Sequence, residues 1–161
     1  MRIAVAAAVL ALVACGEPAP SSNDTPAVPP ASETAEDAAE QQERVAALSA
    51  PYNEASYEAG RRVFAQCRSC HTIAANGGNR VGPNLHGVFG RKIGTAEDFS
   101  YSQAVQSANF TWDAQQLEQW LANPRTFLPG NRMAFAGVRD AAQRRDVIAY
   151  LMVETSAESE D

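Results

Sequence analysis

The most specific chemical pattern in the sequence is the run Cys67-Arg68-Ser69-Cys70-His71. The spacing C-x-x-C-H is that of covalent haem c attachment. Two cysteines on one helical turn can bond the two vinyl groups of one porphyrin, and the adjacent histidine then directs its imidazole at the iron. The pattern predicts one covalent haem c, bound through Cys67 and Cys70, with His71 as an iron ligand.

Three other interpretations of this spacing stay open on the motif alone. A thioredoxin-like C-x-x-C occurs in a βαβ context, and no strand-rich segment surrounds Cys67. A zinc site needs four ligands, and beyond the three residues of the motif only His86 is obvious. The third interpretation is a chance match, which the rest of the sequence argues against.

The second iron ligand must come from elsewhere in the chain, and the candidates are His86, Met133 and Met152. Met152 lies in a C-terminal run with apolar residues at helical spacing, which favours core packing. His86 lies in a turn-rich stretch, where a histidine is usually a surface residue. Met133 follows the breaker-rich loop Pro129-Gly130-Asn131-Arg132 and has no helical register to satisfy. We therefore expect Met133 to reach the far face of the haem.

The N-terminus is predicted to be a targeting segment. Arg2 is followed by twelve apolar residues, 3–14, which is the length of a signal-peptide core and too short to span a bilayer. The run ends in Leu12-Val13-Ala14-Cys15 and resembles a bacterial lipobox. That resemblance implies that residues 1–14 are a lipoprotein signal peptide and that Cys15 carries the lipid. The alternative is an ordinary signal peptide with an incidental cysteine.

Composition divides the remaining chain into three segments. Residues 15–50 contain seven acids, one base and many prolines, and are predicted to form a disordered acidic tether. Within it, residues 36–48 are largely good helix formers without a strong apolar face, which leaves open a transient helix there. Residues 51–155 hold nine acids and eleven bases, and are predicted to be the single folded domain. Residues 156–161 form an acidic tail. The net charge of -6 and the pI near 4.9 argue against a nucleic-acid partner.

Beyond the haem motif, residues 57–151 resemble a class I cytochrome c of the mitochondrial and bacterial c2-like type. The resemblance implies an all-α fold, with helices wrapped around one covalent haem. It also implies that Gly60 and Phe64 meet Tyr150 and Leu151 where the terminal helices cross. The matching stretches are Cys67 to His71, Gly82 to Lys92, Phe99 to Ser102, Thr111-Trp112, Pro129 to Gly137 and Arg145 to Leu151.

The same resemblance assigns roles around the iron. It makes His71 and Met133 the axial ligands, and it has the Pro83 carbonyl accept a hydrogen bond from the far nitrogen of His71. Apolar residues would wall the haem: Leu85, Phe89, Phe99, Leu117, Leu121, Phe135 and Leu151.

At a buried haem propionate, the resemblance implies hydrogen bonds from Tyr101 and Trp112, and charge neutralisation by Arg91. Asn131 replaces a threonine of the family at the propionate, and Trp120 replaces a tyrosine near the methionine sulfur. These departures change the polar network that tunes the iron potential.

An iron with two protein ligands has no open position for substrate, so we expect a one-electron carrier and not an enzyme. The expected partners are membrane complexes: a cytochrome bc-type complex, a haem-copper oxidase or a photosynthetic reaction centre. The protein is expected to be a monomer, lipid-anchored on the periplasmic side of a bacterial membrane, with the inner membrane preferred. The alternative is a haem c peroxidase or gas-binding domain with a labile methionine. The predicted docking residues are Arg80, Arg125, Arg132 and Arg139.

Overall fold

The computed structural model describes residues 31–156, with side chains described from residue 35. The predicted signal peptide, Cys15 and residues 157–161 of the acidic tail lie outside this range. The helices are α1 Ala31–Ala46, a 3₁₀ helix Tyr52–Glu54, α2 Tyr57–Phe64, α3 Gln103–Ser107, α4 Ala114–Ala122, α5 Pro124–Phe127 and α6 Ala141–Thr155.

The described residues contain helices and loops but no β-strand. Their only ladder pairing is one isolated antiparallel bridge between Lys92 and Thr111. The predicted all-α fold is therefore confirmed. None of the helices in this range is long and apolar enough to cross a bilayer.

The crossing of α2 and α6 is the centre of the fold. A Cβ atom at Gly60 would lie 2.7 Å from Tyr150 Cβ and 2.8 Å from the carbonyl carbon of Asp146. Only glycine lets the two backbones approach this closely. The rings of Phe64 and Tyr150 pack beside this point with centroids 5.3 Å apart. The crossing that the sequence predicted is thus present, with Gly60 at its closest approach.

Helix α6 is covered on several sides by α1, α2 and α4. It begins at Asp140, whose side chain accepts a hydrogen bond from the Gln143 amide. Val147, Ile148 and Ala149 are consecutive and essentially inaccessible to solvent. A helix that is buried on more than one face needs no single apolar stripe. It gives the loops that surround it a rigid base.

Between α2 and α3 the chain runs from residue 65 to 102 without a regular helix. Side-chain amides supply the hydrogen bonds that regular structure would otherwise provide. The Asn84 amide donates to the Thr72 hydroxyl at 2.7 Å and to the Gly77 carbonyl at 2.6 Å, and its oxygen accepts from the His86 amide at 2.7 Å. Asn79 accepts from the Asn84 backbone amide at 2.9 Å. These bonds hold the loop that carries Pro83.

The structure corrects the prediction that residues 15–50 are disordered throughout. Helix α1 occupies part of that segment, and Val45 near its end is completely buried. The Gln42 side chain bonds the backbone of Ala55 and Tyr57, and Arg44 bonds Val153. The sequence argument failed because α1 lacks a broad apolar stripe and docks through one valine and polar side chains.

Candidate functional site

The motif Cys67 to His71 forms a tight turn directly after α2. The Cys67 amide donates to the Phe64 carbonyl at 2.8 Å, and the Cys70 and His71 amides donate to the Cys67 carbonyl at 3.0 and 2.9 Å. Both thiols are half-buried and lie on the same turn. Burial, and secondarily the charge of Cys70, raises the pKa of Cys67 to about 11. Redox C-x-x-C motifs lower this pKa, so the raised pKa argues against a disulfide-exchange role for the turn.

His71 is held in one orientation by the loop that carries Pro83. Its Nδ1 lies 2.7 Å from the Pro83 carbonyl oxygen, and a carbonyl can only accept. Nδ1 therefore carries the hydrogen and Nε2 keeps its lone pair for a metal. Burial lowers the pKa of His71, which favours the neutral imidazole that ligation requires. The prediction for Pro83 agrees with this geometry.

Gly82 provides the space in which the His71 ring lies. A Cβ at position 82 would lie 2.7 Å from Nε2 and 2.8 Å from Nδ1 of the imidazole. Any side chain there would displace the ring, so the position requires glycine. Sequence reasoning treated Gly82 only as part of a matching stretch. The sequence signal that could have identified Gly82 is its position immediately before Pro83. Pro83 accepts the hydrogen bond of the His71 ring, so the residue next to it must leave room for that ring.

Met133 lies in an extended loop that Asn131 holds in shape. The Asn131 amide donates to the Pro124 and Leu128 carbonyls, both at 2.8 Å, and its oxygen accepts from the Met133 amide at 2.9 Å. A side-chain amide has only two N–H donors, and both are used. These hydrogen bonds go to the methionine loop, which Asn131 positions; its contribution to a propionate site stays a prediction.

The other ligand candidates lie in different surroundings. Met152 is on α6, half-buried against the hydrophobic core, as expected for a packing residue. His86 belongs to the same loop as Pro83, which approaches His71 from its Nδ1 edge. A ligand for the opposite haem face must come from a different segment of the chain. This arrangement favours Met133 over His86 as the second iron ligand.

Arg91 lies beside Trp112 and close to Tyr101, whereas the contacts of these residues with a propionate stay a prediction. Arg91 is half-buried, and its guanidinium donates to the His86 carbonyl at 3.1 Å and the Asn84 carbonyl at 2.9 Å. Its backbone carbonyl accepts from the Trp112 amide at 2.9 Å.

The electrostatics of this corner suit an anionic group. Burial lowers the pKa of Arg91, and the nearby Tyr101 partly opposes the shift. Among residues 35–156 no carboxylate forms an ion pair with Arg91. The Tyr101 oxygen accepts a long hydrogen bond, 3.3 Å, from the Ala96 amide, which leaves its own hydrogen free to donate. A half-buried guanidinium and a free phenol hydrogen match a haem propionate.

The apolar residues predicted to wall the haem differ in their burial. Leu117, Leu121 and Leu151 are buried, whereas several of the other predicted wall residues are partly buried against the core: Leu85, Phe89 and Phe135. The structure also shows a ring of edge-to-face aromatic pairs, with centroids 4.9 to 5.9 Å apart, that sequence reasoning did not identify as a unit: Phe110, Trp112, Trp120 and Phe127. No sequence periodicity links these four residues, because they come from a loop and two short helices.

The four predicted docking arginines are all exposed: Arg80, Arg125, Arg132 and Arg139. None of them forms an ion pair with an acid in the part of the chain that the structure describes. Arg80 donates to the Arg68 carbonyl at 3.0 Å, and Arg132 donates to the Ser100 carbonyl. Their positive charges thus stay available to an outside partner.

The residues of the site fit a covalent haem c. His71 and Met133 would hold the iron, Cys67 and Cys70 would form the thioethers, and Arg91 would face a propionate. No group of three or more His, Cys, Asp or Glu side chains converges on a separate ion position within residues 31–156.

Comparison with known proteins agrees with this site. The family model described as "Cytochrome c" matches residues 57–153. Cytochrome c of Kluyveromyces lactis is 42% identical over 106 residues, which cover 65% of this chain and 96% of that protein. Cytochrome c of Chlamydomonas reinhardtii is 44% identical over 98 residues, covering 60% and 88% of the two chains.

The fold and the site define a single-haem, c-type electron-transfer protein. The chain belongs to the cytochrome c family. Its cofactor is one covalent haem c with histidine and methionine ligation, and it is an electron carrier and not an enzyme. The family match begins at Tyr57, so α1 lies outside it.

Proposed function

We propose that this protein is a lipid-anchored cytochrome c on the periplasmic side of a bacterial membrane, with the inner membrane preferred. It carries single electrons from a quinol-oxidising cytochrome bc-type complex to a haem-copper oxidase or, in a photosynthetic membrane, to a reaction centre. The observation that carries the proposal is Cys15 at the end of an apolar run. The other two cysteines are those of the haem motif, which leaves Cys15 for a different role.

The haem, when bound, supplies a one-electron Fe(III)/Fe(II) couple. The chain would hold the iron through two residues on separate, hydrogen-bonded loops: Pro83 orients His71, and Asn131 positions Met133. Apolar walls exclude water, and Arg91 offsets a buried negative charge. The roles of these residues suit the transfer of an electron and require no substrate whose bonds are made or broken.

Several acyl chains on Cys15 would hold the protein at the membrane surface. Burial of acyl chains contributes about 0.8 kcal/mol per methylene, and stable anchoring takes more than one chain. A carrier confined there meets its partners at an effective concentration that can reach the order of mM. An anchored carrier therefore depends less than a free one on long-range attraction.

The exposed arginines support docking on acidic partner surfaces. Attraction between exposed charges speeds the encounter of two proteins, so such contacts form quickly. At 0.1 M salt this attraction is screened over about 10 Å, so the contacts are weak and also release. A released domain should lose rate steeply as salt is added. The anchored form should lose less, because the anchor maintains encounter when electrostatic steering is screened.

The decisive experiment follows oxidation and reduction of the haem by isolated membranes in a stopped-flow instrument. The wild type is compared with Cys15→Ser, which should be fully haem-loaded but released from the membrane. Labelled palmitate on the wild type alone would support lipidation. A variant that stays bound after a carbonate wash would contradict it, and equal salt slopes for the two forms would contradict the role of the anchor.

A further inference from the structure

Helix α1 satisfies backbone groups at the ends of two other helices. The Gln42 oxygen accepts from the Tyr57 amide at 2.8 Å, and its nitrogen donates to the Ala55 carbonyl at 2.9 Å. Tyr57 is the first residue of α2, where amides have no partner within the helix. Arg44 donates to the Val153 carbonyl at 2.8 Å, in the last turn of α6. One helix thus bonds the start of α2 and the end of α6.

Apolar packing fixes α1 in the same place. Val45 has no exposed surface and belongs to the main hydrophobic core. Leu48 and Tyr52, just after the helix, are partly buried against that core. Among the described elements α1 packs against α2, the 3₁₀ helix and α6, and not against α4 or α5. The docking side is therefore the α2–α6 crossing, away from the helices next to the methionine loop.

We propose that α1 is a structural part of the haem domain, which staples α2 to α6 and fixes where the N-terminal segment joins the domain. This extends the folded unit beyond the family match, which begins at Tyr57. The role is positional: none of the described side chains of α1, residues 35–46, belongs to the predicted haem site, and α1 holds together the two helices on which that site is built.

Stapling also limits the reach of the anchor, a consequence that rests on the proposed lipidation of Cys15. Fully extended chain spans at most about 3.3–3.6 Å per residue. If the chain from Cys15 to Pro51 were fully extended, its limit would be roughly 120 Å. With Ala31–Ala46 helical, at about 1.5 Å per residue, the limit over the same stretch falls to roughly 95 Å. The docked helix would thus keep the haem domain within a shorter distance of the membrane.

Trypsin offers a direct test, because Arg44 is the only lysine or arginine between Arg2 and Arg61. Cleavage after Arg44 needs the chain around Val45 to leave the core and become extended. In full-length holoprotein, this bond should be cut at least about 100-fold more slowly than in a synthetic peptide of residues 31–50, because the bond opens only when α1 undocks. The measurement follows the appearance of the fragment that begins at Val45.

Variants on α1 separate docking from helix propensity. Gln42→Ala removes both bonds to the entry of α2, and Val45→Ala removes apolar packing, so each should speed cleavage about 10-fold or more over wild type. Glu40→Ala is the matched control, since Glu40 is exposed on α1 and makes no side-chain hydrogen bond or ion pair within the described residues; it should change the rate less than about 2-fold. Amide exchange at Tyr57 should accelerate in Gln42→Ala and not in the control.

Two outcomes would overturn the staple. One is an equal cleavage rate at Arg44 in the folded protein and in the peptide. The other is an equal cleavage rate in Gln42→Ala, Val45→Ala and the control Glu40→Ala. The test is independent of the anchor, because Cys15→Ser should leave the rate at Arg44 unchanged. Failure of lipidation would therefore remove the limit on reach and leave the staple intact.

Discussion

Replacing Asn131 by alanine should weaken the hold of the loop on Met133 while leaving the methionine in place. The change removes three hydrogen bonds of 2.8 to 2.9 Å, to the Pro124 carbonyl, the Leu128 carbonyl and the Met133 amide. Each intramolecular hydrogen bond contributes a net ~1 kcal/mol, and the half-buried position lets water replace part of the loss. We therefore expect the closed loop to lose about 2–3 kcal/mol relative to the open one.

Binding of free imidazole to the oxidised protein measures this loss, since imidazole can reach the iron only after Met133 leaves. The apparent affinity for imidazole is proportional to the fraction of protein molecules in which the Met133 loop is open. A loss of about 2–3 kcal/mol therefore predicts that imidazole binds roughly 30- to 150-fold more tightly to Asn131→Ala than to wild type.

The matched control is Asn109→Ala, because Asn109 is exposed and makes no side-chain hydrogen bond within the described residues. Its imidazole affinity should equal that of wild type. An affinity of Asn131→Ala within about threefold of wild type would refute the reasoning, because a change below ~0.7 kcal/mol is less than one ordinary hydrogen bond.

Three further predictions concern the ligands and the crossing. Gly82→Ala should lower the free energy of unfolding in guanidinium by about 1–3 kcal/mol through overpacking against the ligand imidazole; Gly78→Ala, whose Cβ would meet open space, should not. Burial, followed by a hydrogen bond to a glutamate, raises the pKa of Tyr57. Its contribution to stability is complete below pH ~10 and is lost as pH rises further. Tyr57→Phe should therefore flatten the fall in unfolding free energy above that pH. Met133→Ala should abolish the long-wavelength absorbance band of sulfur–iron bonding. Met152→Ala should keep the band and, because Met152 is only half-buried, cost no more than about 2 kcal/mol of stability. The opposite result would reassign the ligand.

The haem motif was predictable from its own residues, and the crossing was predictable from the resemblance to the cytochrome c family. A C-x-x-C-H run defines its own geometry, and Gly60 removes a side chain where two backbones meet. The role of Asn131 was not predictable in the same way. Its amide could serve a propionate or a backbone carbonyl, and only the folded loop shows that Pro124 and Leu128 take both donors.

Helix α1 shows the limit of pattern-based prediction most directly. A periodicity argument looks for an apolar face, and α1 buries only Val45 fully among its described side chains. Its other anchors, Gln42 and Arg44, are polar residues of the kind expected on a solvated face. They bind because the start of α2 and the end of α6 each present a backbone group with no partner inside its own helix. Such a backbone group is satisfied by a hydrogen-bonding side chain. A helix that docks on helix ends therefore has polar residues on its docking face, and its sequence resembles that of an exposed helix. Acidic, polar segments next to helical domains are therefore better judged by the helix ends they can reach than by their hydrophobicity.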